Sequence, residues 1–77
     1  MPLSDKIRNA RITRGWTREL LAVYSGVSAS TIGRIERGDL TPRAGTIIAL
    51  ARVLDLPVEE LAAEVGITIH IPPNKWS

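Results

Sequence analysis

The chain has 77 residues and no cysteine, which makes it one small domain with a limited core and excludes disulfides and thiolate metal sites. No apolar run nears the roughly 20 residues of a membrane span, and MPLSDKIRN lacks the apolar core of a signal peptide, so a soluble cytoplasmic protein is expected. The formal net charge of +2 hides an asymmetry: residues 1–52 hold nine bases against four acids and residues 53–77 one base against four acids, which suggests a nucleic-acid face and another turned away from it.

The first helix is predicted from about Asp5 to Arg14, with Ser4 as N-cap and Asp5 at the positive end of the helix dipole. Leu3, Ile7, Ala10 and Arg11 share one face of it. An arginine on an apolar face needs a partner, because a buried unpaired charge costs several kcal/mol. Gly15 ends this segment.

The second and third helices are predicted over Arg18–Ser25 and Ala29–Arg37. Thr17 and Ser28 are the caps, each offering a side-chain oxygen to unpaired backbone N–H groups. Gly26 supplies the turn between them, and Gly38 follows the last apolar residue, Ile35. Two short helices joined by such a turn have the form of a helix-turn-helix, whose second helix enters the DNA major groove. Ile32 and Ile35 face inward, while Ala29, Ser30, Gly33 and Arg34 are expected to face out, small enough apart from Arg34 for the helix to sink into a groove. Leu20, Leu21, Ala22, Val23 and Tyr24 leave the second helix apolar nearly all round, so a cover over Leu20 and Val23 is expected.

A fourth helix is predicted over Ala44–Leu54 after Pro42, and a fifth over Val58–Val65, with Val58, Leu61, Ala62 and Val65 at helical spacing and Gly66 at its end. The domain is set at 1–66. The remaining 67–77 reads as a short extended, β-like tail: Ile67, Ile69 and Ile71 alternate with Thr68 and His70 before Pro72-Pro73, and Trp76 is a packing anchor. A lone strand needs a partner. Three readings stay open: pairing with the same strand of a second copy as a dimerisation arm, packing on its own domain, or a loose end.

These residues resemble the helix-turn-helix domain of phage repressor and Cro proteins, a lambda-repressor-like, XRE-family group found in many small bacterial regulators. The matching elements are Ile7-Arg8, Arg11, Gly15, Thr17, Leu21-Ala22, Gly26-Val27-Ser28, Thr31-Ile32, Ile35-Glu36-Arg37-Gly38, Pro42, Leu50-Ala51 and Leu54, covering residues 4 to about 62. The resemblance implies an all-α, five-helix bundle that acts as a homodimer on a palindromic operator. It implies an ion pair between Arg11 and Glu36, and base readout by Ala29, Ser30, Thr31, Gly33 and Arg34. Chemistry agrees best for Arg34, which can grip guanine N7 and O6 bidentately. Phosphate contacts are expected from Arg8, Arg14, Thr17, Arg18, Arg37 and Arg43. The chain departs from the pattern where Arg18 replaces the usual Gln, Trp16 and Ala10 replace Leu, and Leu20 and Val23 replace exposed charges.

The expected function is a sequence-specific DNA-binding transcriptional regulator, a repressor in the first instance. The alternative is an antitoxin or another interaction protein, with a toxin-like partner on the second helix or the tail and double-stranded DNA still bound. A module of a longer protein is a further reading. An enzyme is not expected, nor a cofactor or metal: His70 is the sole histidine, and the carboxylates sit at helix starts or in loops where capping explains them.

Overall fold

The computed structural model describes residues 2–69. Five helices follow one another: α1 (Leu3–Thr13), α2 (Arg18–Ser25), α3 (Ala29–Glu36), α4 (Ala44–Leu54) and α5 (Val58–Glu64). No strand occurs among the described residues. None of the helices there is long and apolar enough to cross a membrane.

The core is built from one or two faces of every helix. Ile7, Leu21, Ile32, Ile35, Ile47, Leu50, Leu54 and Leu61 are fully buried. Each such side chain contributes on the order of 1.5–3 kcal/mol relative to exposure. α4 is the central element, packing on α1, α2 and α5, while α3 packs on α1 and α2. Trp16, Ala10 and Val27 close the edges of the cluster.

α1 differs from its expected bounds at both ends. It starts at Leu3, and Pro2 holds the cap position, its carbonyl accepting from the Asp5 and Lys6 amides at 3.1 Å each. Ser4 is therefore inside the helix and caps nothing. The burial of Leu3 explains the shift, since the helix must begin early enough to bring that side chain into the core. At the other end Arg14 is the C-cap. Arg37 and Val65 are likewise C-caps, so α3 and α5 each stop one residue short of their expected ends.

α2 and α3 are set by their caps. Thr17 Oγ1 accepts from the Leu20 amide at 3.0 Å, and Ser28 Oγ accepts from the Thr31 amide at 3.1 Å. Between them Gly26 has φ 76°, a left-handed conformation that a Cβ would strain.

The residues after α5 do not form a strand as far as they are described. Ile67 donates its amide to the Ala62 carbonyl at 2.9 Å, closing the end of α5, and Ile67 and Ile69 pack half-buried on the core. Packing thus continues past residue 66. Val23 stays 77% exposed, so residues 67–69 are not its cover. Leu20 is half-buried. His70, Ile71 and Trp76 lie outside the described residues.

Candidate nucleic-acid interface

The outer side of α3 follows from its inner side. Ile32 and Ile35 point into the core, which turns Ser30 and Arg34 to solvent and leaves Ala29 and Thr31 half-buried. Thr31 is partly committed already: its Oγ1 accepts from the Ser28 hydroxyl at 2.8 Å, as part of the cap. Gly33 does not face open solvent as expected. It is buried, because the side chains of Arg18 and Arg37 lie across it.

Beneath this surface sits a three-residue ionic cluster. Arg11 Nε donates to Glu36 Oε2 at 2.8 Å, and Arg11 Nη2 to Glu36 Oε1 at 3.0 Å. This two-bond geometry is the strong form of an arginine–carboxylate pair. Arg11 Nη1 also donates to the Trp16 carbonyl at 2.8 Å, fixing the chain between α1 and α2. A third donor reaches Glu36 from α2, Arg18 Nε to Oε1 at 3.1 Å. The Glu36 side chain is 1% exposed, against 44% for Arg18. No buried side-chain nitrogen or oxygen among the described residues lacks a hydrogen-bond partner.

The hydrogen bonds to Glu36 raise the Arg11 pKa above its ordinary value, against the opposing pull of burial. Because the shift is upward from an already alkaline value, Arg11's contribution to stability is fully present at neutral pH, where its carboxylate partner is ionised. It is lost as the pH rises through strongly alkaline values.

The remaining arginines differ in how far they are engaged. Arg14 Nη1 donates to the Ala10 carbonyl at 3.3 Å, and its guanidinium lies 5.6 Å from the centroid of the Trp16 ring. Trp16 in turn packs against Tyr24 at 4.8 Å between centroids, with planes tilted by 55°. Arg37 Nε donates to Asp39 Oδ2 at 3.2 Å in an exposed pair, of the kind worth about 0–1 kcal/mol. Arg8, Arg34 and Arg43 are exposed and make no ion pair among the described residues. Thr17 is exposed at the start of α2.

Sequence reasoning did not find the Arg14–Trp16–Tyr24 stack or the contact of Arg18 with Glu36. The first has a weak signal in the adjacency of Arg14 and Trp16. The second depends on how α2 lies against α3, which no local pattern carries.

The helix-turn-helix is an arrangement this chain shares with known regulators. Residues 7–61 match the family model HTH_3, described as helix-turn-helix. The chain is 46% identical over 66 residues to an uncharacterized HTH-type transcriptional regulator, RghRB, of Bacillus subtilis, which covers 84% of this chain and 48% of that one. It is 43% identical over 63 residues to the transcriptional repressor RghR of the same organism, covering 80% of this chain and 47% of the repressor. The chain thus spans about half the length of these two curated relatives. Among solved structures, an HTH_3 family transcriptional regulator from Vibrio cholerae superposes with a TM-score of 0.70 at 30% identity, over 79% of this chain and 34% of that one. By the extent of these matches, the chain belongs to the HTH_3 helix-turn-helix family.

Proposed function

We propose that this protein is a sequence-specific DNA-binding transcriptional regulator, a repressor that acts as a homodimer on a palindromic site. The observation that carries the reading is the outer side of α3. It presents Ser30 and Arg34 to solvent from a helix fixed by Ile32, Ile35 and the buried Glu36. A rigid helix with an unpaired arginine fits a major groove, where Arg34 grips guanine and Ser30 and Ala29 supply lesser contacts. Thr31 contributes through its hydroxyl proton. Arg8, Arg14, Arg37 and Arg43, with the α2 terminus at Thr17, meet phosphates and set register and salt dependence.

That relatives of this chain are transcriptional regulators and repressors supports the reading. The homodimer is supported by Val23, an apolar side chain left 77% exposed on α2. A second subunit seated on α2 would take this side chain out of water. Selection from randomised duplex DNA with the full chain tests the proposal. The expected product is an inverted repeat with a guanine in each half-site; failure to enrich any sequence removes the reading.

A further inference from the structure

The outer side of α3 has a gap at its middle. Ser30, Gly33, Arg34 and Arg37 follow one another at spacings that share a helical face, and at Gly33 there is no side chain. Gly33 is not among the residues with positive φ, so backbone conformation does not call for glycine there. The space is nonetheless filled. A Cβ at residue 33 would lie 3.2 Å from Arg37 Nη1, 3.8 Å from Arg18 Cδ and 4.0 Å from Arg18 Nε. A side chain rooted on α2 therefore lies over the centre of α3.

We propose that Arg18 is a specificity-determining residue: it reads a guanine edge at the place along the groove that Gly33 faces. The inference rests on the DNA-binding reading above. It assigns Arg18 a different task from the phosphate contact expected from the sequence.

The reason lies in how Arg18 is held. Its Nε donates to Glu36 Oε1 at 3.1 Å, and Glu36 is itself gripped by Arg11 through two bonds. The two Nη groups of Arg18 make no hydrogen bond among the described residues, and the side chain is 44% exposed. The fork is thus fixed at its root, with its outer edge open. A phosphate accepts donors from many directions and needs no such fixing. Guanine presents N7 and O6 as a planar pair, which an end-on guanidinium matches with two bonds. A fork already oriented by a carboxylate loses less rotamer freedom on binding. Arg37, tied only to the exposed Asp39, has no comparable constraint and suits a phosphate.

Selection on randomised duplexes with the full chain, its R18Q, G33Q and R34A variants, and the salt dependence of each, tests the assignment. For R18Q the expected result is loss of one guanine preference per half-site, with other positions kept. Affinity for the best parental sequence should fall about tenfold to a hundredfold. G33Q adds a side chain that meets Arg37 Nη1 and borders Arg18, so it crowds the fork from below and is expected to change the preference at that same position. It alters no charge, so it carries the test alone if R18Q loses the helical circular dichroism of the parent.

An R18Q variant that keeps the whole motif, weakens all duplexes alike and has a salt slope shallower by about one would make Arg18 a phosphate contact and overturn the proposal. An unchanged motif in G33Q overturns it too. If R34A loses its own position while R18Q loses none, only the Arg18 assignment fails. If the parent enriches no sequence, the DNA-binding reading fails with it.

Discussion

α2 and α3 are both eight residues long, and each is capped by a side-chain hydroxyl at its start. Their burial is very different. α3 buries Ile32, Gly33, Ile35 and Glu36, while α2 buries Leu21 alone. α3 is held from inside by packing and by a carboxylate that two arginines grip, with Ser30 and Arg34 turned to solvent on its outer side. α2 fully buries one residue, with Leu20 and Ala22 half-buried beside it, and turns its other sides elsewhere: Arg18 across α3, Tyr24 against Trp16, Val23 to the outside. The motif therefore pairs a helix that is deeply seated with a helix that reaches across it.

The largest effect is expected where the two helices share a group. Glu36→Ala removes the acceptor of three hydrogen bonds and strands Arg11 in the core. It is expected to cost about 3–5 kcal/mol, with a drop in Tm of more than about 10 °C by differential scanning calorimetry. A loss under 1 kcal/mol would show that α3 is held by its isoleucines alone. Next comes Arg34→Ala, exposed on α3, expected to weaken binding of the selected duplex by about 1–3 kcal/mol with stability unchanged. Fluorescence anisotropy gives the first quantity and thermal melting the second.

The caps come below these. Ser28→Ala and Thr17→Ala are each expected to cost about 1 kcal/mol by chemical denaturation. Amide exchange should separate them: with few buried side chains behind it, α2 is expected to fray locally in Thr17→Ala, whereas Ser28→Ala should act on the global transition. Equal exchange behaviour would erase the contrast between the helices. The smallest effect on stability belongs to Val23→Glu, within about 0.5 kcal/mol for a position this exposed. Sedimentation is expected to shift from dimer to monomer, and an unchanged profile removes Val23 from the subunit contact.

What the sequence shows of this molecule is what local rules carry. The bounds of α2 and α4 can be read directly, since Thr17, Ser28, Gly26 and the apolar periodicity act within a few residues of themselves. α1 is harder: Ser4 has the chemistry of a cap, but burial of Leu3 overrides it from across the fold. That Arg11 needs an anion follows from its place on an apolar face. Which carboxylate supplies it comes only from the family resemblance, since Glu36 is 25 residues away. Gly33 shows the limit most clearly. A small residue inside a helix signals close approach, but not by what. Two arginines, one from another helix, fill the place that the sequence leaves for a ligand.

The stack at Trp16 gives the protein an optical consequence. Its indole packs against Tyr24 of α2 and lies near the guanidinium of Arg14, a group proposed to meet phosphate. A phosphate that draws Arg14 aside removes a positive charge from beside the ring, and indole emission responds to nearby charge. The sequence contains two tryptophans, so Trp76→Phe leaves Trp16 as the single indole, excited selectively at the red edge where tyrosine does not absorb. Arrival on the duplex then becomes visible as a change in intrinsic fluorescence, and stopped-flow mixing can time it with no dye attached to either molecule.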